Sequence, residues 1–253
     1  ALKLLQDGVR TRENLKSSWG GAMGLTQFMP SYYYQLAYDL DGDGRKDIWN
    51  SVPDALASTA NQLRDKGWVA KLPGADEVRL PPQVSCQLEG PPHARSVRAW
   101  AKLGVKRARN EAFPQHVLDA EAFVLTPAGA NGPVFLAFEN FMVTKRYNMS
   151  DSYAVFVGNL ADRIAGGGDF EARWSNVVQM PAPGIAEIQE RLKGVGYPIS
   201  KIDGKAGMNT RALIGAYQHA TGLKTDCWPS EATLKHLRAA QRTPEKRQSL
   251  GTK

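Results

Sequence analysis

Ser17-Ser18-Trp19-Gly20-Gly21-Ala22-Met23-Gly24-Leu25-Thr26-Gln27-Phe28-Met29-Pro30 has neither helical nor strand periodicity. Its glycines let the backbone take positive φ or approach a ligand closely. Trp19 and Phe28 offer flat apolar faces, and Gln27 carries both a donor and an acceptor. Two readings stand: a glycine-rich turn between helices with buried aromatics, or a binding loop.

Upstream, Ala1, Leu2, Leu4 and Leu5 give an amphipathic helix pattern that ends at Gly8. There is no initiator Met and no signal-peptide anatomy, so the chain reads as a fragment. Thr11 to Lys16 is expected to form a short helix leading into the loop. Downstream, Ser31 is placed to cap a helix over Pro30 to Tyr38. Then comes Asp39-Leu40-Asp41-Gly42-Asp43-Gly44-Arg45-Lys46-Asp47, which has the D-x-D-x-D-G-x-x-D pattern of a calcium loop. A hard cation takes six to eight oxygens, alternate carboxylates converge as such a loop turns, and a glycine permits the bend. Arg45 would give its backbone carbonyl. Asn50 stands where the closing Glu is usual, so Asp54 is the candidate that completes the shell. The competing reading is a solvated acidic turn.

Asp54 to Gly67 reads as a helix with Ala55, Leu56, Thr59, Ala60 and Leu63 inward. Ser96 to Leu103 reads as another, stopped by Gly104. Ala122 to Leu125 and Val134 to Phe138 are strand-like and flank a Gly/Pro-rich hairpin loop. Tyr153 to Ile164 reads as a helix with Tyr153, Phe156, Val157 and Leu160 on its inner face. Residues 166–183 are the expected linker, and beyond them Ile185, Ile188 and Leu192 begin a small helical unit in which Ser230 caps the third helix. The tail, 241–253, is polar, basic and expected to be disordered.

The 253 residues are 42% hydrophobic with a formal charge of +7, enough for one large and one small domain. The positive charge suits a polyanionic partner such as nucleic acid, an anionic membrane or an acidic wall polymer, but it is spread along the chain and not gathered in one block, so ordinary solvated surface is the favoured reading and no nucleic-acid partner is assigned. No run reaches the length of a membrane span. Cys86 and Cys227 fall in different expected domains, so they are read as unbridged. His93, His116, His219 and His236 lack the spacing of a zinc site.

Three motifs in order carry a resemblance: Gly20-Gly21-Ala22-Met23-Gly24 with Gln27-Phe28-Met29-Pro30-Ser31, the Asp loop, and Asn140-Phe141-x-Val143-x-x-Arg146-Tyr147-Asn148-x-Ser150-x-x-Tyr153-Ala154. Over residues 1–165 the chain resembles the MltB-type lytic murein transglycosylases. Gln189-x-x-Leu192, Gly196-Tyr197, Ile202-Asp203-Gly204, Gly207, Thr210, Ala216-x-Gln218 and Gly222-Leu223-x-x-Asp226 resemble the three-helix peptidoglycan-binding domain over 184–240, with Cys227 where glycine is common.

The resemblance implies a mainly α (α+β) protein: a lysozyme-like helical transglycosylase domain with a small β subdomain, plus the three-helix domain. It implies cleavage of the MurNAc-β-1,4-GlcNAc bond by the muramyl 6-hydroxyl, leaving 1,6-anhydro ends, with one Glu acting as acid and then base. Ser18, Gln27, Phe28, Tyr147, Asn148 and Tyr153 match substrate-binding positions. Asp39, Asp41, Asp43, Arg45, Asp47 and Asp54 match a structural calcium site, and no organic cofactor is implied. Gln62 replaces a Tyr that some relatives place in the helix after the Asp loop. The partners implied are peptidoglycan glycan strands and wall-synthesis proteins, for a periplasmic monomer.

The E-S-x-x-G-like motif of the family's catalytic Glu is absent. Glu13, in the charged stretch Arg12-Glu13-Asn14-Leu15-Lys16, is the only glutamate before the loop. No catalytic residue is therefore nominated, and the catalytic helix is expected upstream of Ala1. Two other readings stay open: a non-catalytic wall-binding scaffold that keeps the glycan cleft, and a calcium-responsive interaction protein.

Overall fold

A computed structural model describes residues 1–174 and 177–240, so the tail expected to be disordered lies outside the described residues. The chain divides into two units, Ala1–Ala70 and Lys71–Lys253.

In the first unit α1 (Leu2–Gln6) stops before Gly8, whose φ is +68°. Thr11 to Lys16 forms turns instead of the expected helix, with Asn14 and Leu15 N–H donating to the Thr11 carbonyl. Pro30 opens α2 (Pro30–Leu36), and Ser31 does not cap it; Pro at the first helical position needs no capped N–H. Ser51 caps α3 (Val52–Asp65) by accepting from Asp54 N–H. The buried face of α3 is Asp54, Ala55, Ser58 and Gln62, whereas Leu56 is exposed. Polar contacts turn the helix from its expected apolar face: Leu40 N–H donates to Asp54 Oδ1 at 2.8 Å, and Tyr38 N–H to Ser58 Oγ at 2.9 Å.

The second unit begins with a small sheet. Its strands are β1 (Ala75–Arg79), β2 (Arg95–Ser96), β3 (Lys106–Arg107), β4 (Glu121–Leu125) and, after the loop strand β5 (Pro127–Ala130), β6 (Val134–Ala137). The sheet order is β2-β4-β6-β1-β3 and its paired strands are antiparallel. The expected hairpin is present, with Phe123 opposite Ala137 and Leu125 opposite Phe135. One face packs on α4 (Val97–Lys102), which stops before Gly104 as expected and which Ser96 caps by accepting from Ala99 N–H. Trp100 of α4 is fully buried and donates from Nε1 to the Ala122 carbonyl at 2.8 Å. The other face packs Phe123, Leu125 and Phe135 against Phe141 of α5 (Glu139–Tyr147) and Ala154 and Val155 of α6 (Asp151–Ile164). The expected inner face of α6 is thus displaced: small Ala154 and Val155 face the sheet, and Phe156 and Leu160 are exposed.

Helices α7 (Ala182–Gly194), α8 (Met208–Ala220) and α9 (Glu231–Ala240) enclose Ile185, Ile188, Leu192, Ile214, Tyr217, Leu234 and Leu237. Two buried glutamines brace the turns. Gln189 Oε1 accepts from Asp203 and Gly204 N–H, both at 2.9 Å. Gln218 Oε1 accepts from Asp226 N–H at 3.1 Å and Cys227 N–H at 2.9 Å. Ser230 caps α9 through Thr233 N–H, as expected.

The cysteine reading is overturned: Cys86 and Cys227 form a disulfide with Cα atoms 6.1 Å apart. The 3₁₀ turn Cys86–Leu88 lies against α8, where Gly215 has no Cβ to collide with Cys227 Sγ. Distance along the chain says little about which surfaces meet, and here the turn between β1 and β2 and the α8–α9 loop share a seam.

Candidate functional site

The glycine-rich loop is braced by its own backbone. Met23 bridges both Ser17 and Phe28. Ser18 N–H donates to the Ala22 carbonyl at 2.8 Å, and Ser18 Oγ accepts from Ala22 N–H at 3.2 Å. Ser18 thereby ties the loop to itself. Leu25 N–H donates to the Ile48 carbonyl at 2.8 Å, anchoring the loop beside the acidic segment. Gly24 has φ +66°, and a Cβ there would lie 2.7 Å from the Ile48 carbonyl oxygen, so this position requires glycine.

That bracing sorts the side chains. Met23, Thr26 and Phe28 are buried, and Phe28 meets Tyr32 edge-on with centroids 6.5 Å apart. Phe28 is therefore core and lacks the free face expected of a stacking residue. Trp19 is fully exposed, at 104% of its reference area, and Leu25 and Met29 are exposed near it in the chain. Gln27 is exposed in the left-handed region, φ +53°, and spends one Nε2 hydrogen on the Gly24 carbonyl at 3.0 Å. Among the described residues no donor reaches its amide oxygen. Gln62 is buried, and its Oε1 has no partner among the described residues.

The acidic segment separates into two groups. Asp39, Asp41 and Asp54 bring carboxylate oxygens within 4.8 Å of one another. Among the described residues no Lys, Arg or His pairs with any of the three. Asp43 and Asp47 stand outside that cluster. Asp43 Oδ1 accepts from Arg45 N–H at 2.8 Å, while Asp47 accepts from Trp49 N–H, Asn50 N–H and the Asn50 amide, each at 2.9 Å. Burial pushes Asp54 up, yet N–H donors from Leu40, Asp47 and Asp41 outweigh it and hold the carboxyl below its ordinary range. Asp54 is thus an anion at the buried end of the cluster.

In the second unit Tyr147 ends α5, half-buried, and Asn148 follows, exposed. Asn148 Oδ1 accepts from Ser150 N–H at 3.1 Å, and Ser150 Oγ accepts from Tyr153 N–H at 3.3 Å. The α5–α6 corner is thereby fixed, with Tyr153 half-buried in the first turn of α6. Tyr147, Asn148 and Tyr153 share this corner; Ser18, Gln27 and Phe28 share the loop of the first unit.

Neither glutamate with a shifted pKa near these elements is set up as a cleft acid. Glu13 is exposed, and hydrogen bonds from its own backbone and from Thr11 hold it below the ordinary value. Burial pushes Glu89 up, but Glu89 is enclosed and paired with Arg211.

Comparison with known proteins gives two family matches, divided between residues 162 and 181. The family described as transglycosylase SLT domain matches residues 1–162, and the putative peptidoglycan binding domain matches 181–237. Membrane-bound lytic murein transglycosylase B of Escherichia coli K12 is 33% identical over 159 residues, covering 60% of this chain and 40% of the relative. The structure of SltB3 from Pseudomonas aeruginosa in complex with NAG-anhNAM-pentapeptide superposes with a TM-score of 0.85 at 40% identity, over 94% of this chain and 64% of that one. The Escherichia coli lytic transglycosylase Slt35 in complex with calcium matches with a TM-score of 0.50 at 29% identity, over 65% of this chain and 50% of that one. The chain therefore spans less than two thirds of the length of these relatives.

Proposed function

The chain belongs to the transglycosylase SLT family, and on that premise we propose that its protein is a lytic transglycosylase of peptidoglycan. It cleaves the MurNAc-β-1,4-GlcNAc bond and leaves 1,6-anhydromuramyl ends. The observation that carries this reading is the match over 94% of the chain to a relative solved with an anhydro-muramyl ligand. In the first unit exposed Gln27 is suited to hold an N-acetyl or hydroxyl group of a glycan; in the second unit exposed Asn148 is suited to the same, with half-buried Tyr147 and Tyr153 at its own corner. Ser18 acts through the loop it ties.

The chemistry needs one carboxylic acid that is protonated at neutral pH. It gives its proton to the glycosidic oxygen as the C1–O bond breaks. It then takes the proton of the 6-hydroxyl as that oxygen bonds to C1. Glu13 titrates too low for the first step, and Glu89 is spent on Arg211. We therefore place the acid outside residues 1–253. The full gene product, incubated with purified sacculi, is expected to release anhydro-muropeptides by mass spectrometry, and residues 1–253 alone none. Reducing-end products only would make the enzyme a hydrolase. Pelleting with sacculi without any turnover would favour the scaffold reading.

Asp39, Asp41 and Asp54 fit a hard cation, because three carboxylates, one wholly buried, converge without a cationic side chain. Calcium there would cross-link the acidic loop to α3, a structural role, with Asp43, Asp47 and the Arg45 carbonyl as outer contributors. Chelation is expected to lower Tm by at least about 5 °C, a shift that Asp39→Asn abolishes; an unchanged Tm on chelation removes the ion. The Cys86–Cys227 bond supports an oxidising compartment, which fits a periplasmic protein acting on the wall.

A further inference from the structure

The α7–α9 module is joined to the sheet in two ways, by the chain that precedes Ala182 and by a bond between residues 141 apart in sequence. We propose that this disulfide is a latch, closed once on oxidation, that fixes the orientation of the module on the sheet, and that without the bond the module leaves its seat. The seam it closes sets the Cys86–Leu88 turn against α8 and strand β5 against the α8–α9 loop. Ala130 N–H donates across it to the Asp226 carbonyl at 2.8 Å. Gly129, with φ +58°, has no Cβ to collide with that same carbonyl, and Gly215 admits Cys227 Sγ. Glycines bring backbones together but bury little apolar area, and Met208 is the module residue packed against the Phe123, Leu125 and Phe135 cluster.

The other strong contact is the Glu89–Arg211 pair, wholly enclosed, with Arg211 Nη2 also 3.0 Å from Asp151 Oδ2. Such a pair fixes the register of docking but adds little net affinity, because both charges regain water when the surfaces part. A third observation concerns Cys227 itself. Its φ is +54°, a conformation that favours glycine, so a side chain there is held at a cost in strain that the turn alone does not require. The bond to Cys86 accounts for it.

Closure takes two thiols to one disulfide, passing two electrons and two protons to a disulfide-bonded oxidant that becomes a dithiol. Once closed, Cys227 is fully buried and Cys86 nearly so, which shields the bond from exchange. The module is then a fixed arm of the sheet and not a domain on a tether.

Amide hydrogen exchange on the 253-residue chain tests this independently of any glycan chemistry. In the oxidised protein the Ala130 amide should be protected. In Cys86→Ser/Cys227→Ser, and in wild-type chain refolded under reductant, Ala130 exchange should rise at least tenfold. Amides inside β4, β6 and α8 should keep their protection. Unchanged protection at Ala130 would show that the seam holds without a latch. Loss of protection throughout α8 and the sheet would make the bond a plain stability staple; either result overturns the proposal.

Discussion

Replacing Arg211 by alanine is expected to lower the stability of the Lys71–Lys253 unit by about 3–5 kcal/mol, the cost of leaving a buried charge without its partner. Arg211 and Glu89 side chains are 3% and 0% exposed. Arg211 Nε lies 3.0 Å from Glu89 Oε2, and Nη1 donates to the Ala206 carbonyl at 2.6 Å. Glu89 also accepts from Thr126 N–H at 2.8 Å and Thr126 Oγ1 at 2.7 Å. Burial already pushes Glu89 up against the pull of Arg211. Without the guanidinium the folded-state pKa of Glu89 rises further above its unfolded value. A carboxyl with a raised folded pKa destabilises as pH rises through that range, so the deficit should be larger at pH 8 than at pH 5. Urea melts at the two pH values measure it. The double variant Glu89→Gln/Arg211→Met removes both charges and should recover most of the loss. A deficit below about 1 kcal/mol for the single variant, or one independent of pH, would mean that water reaches the pair.

The motifs that identify the family are local, and local sequence was a good guide to them. Ser230 caps its helix as its position suggests, and Gly24 sits where backbone geometry demands glycine, whereas Ser31 is displaced from the cap by Pro30 and the cap at Ser51 was not legible. The strand pair around 126–133 was legible for the same reason, since short apolar runs and the Gly/Pro-rich turn between them act within a few positions. What could not be read was the direction each element faces. On α3 the apolar pattern points to Leu56, but the buried acid Asp54 and Ser58 satisfy backbone N–H groups of the preceding loop and turn the helix. On α6 large side chains suggest a core face, yet Ala154 and Val155 allow the close packing that places it. The disulfide was missed on a similar ground, because the seam depends on Gly129 and Gly215, two positions without any side-chain signal. The acidic loop was legible as a motif, but not which of its carboxylates converge: Asp47 spends its oxygens on Trp49 and Asn50, and Asp54, seven residues on, joins Asp39 and Asp41 instead.

In the glycine-rich loop, binding and folding are expected to separate between two aromatic residues. Phe28→Ala should cost about 3–5 kcal/mol, the range for emptying a fully packed aromatic site. Phe28 is 1% exposed and is held between the Met23 bridge and Tyr32. Trp19→Ala should change stability by no more than about 0.5 kcal/mol, since the ring touches solvent on all sides. Under the proposed function Trp19 offers the apolar face that a sugar ring can cover. A stacked aromatic contributes about 0.5–1.5 kcal/mol, so Trp19→Ala should weaken retention on purified sacculi by about two- to tenfold. Thermal melts and pelleting assays on the full gene product distinguish the two roles. Phe28→Leu refills most of the volume and should restore both folding and retention. If Phe28→Leu folds normally but loses glycan, the ring itself meets the sugar and the loop opens on binding. If Trp19→Ala pellets like the parent, the exposed ring lies outside the glycan path, and Gln27 becomes the loop residue that meets the strand.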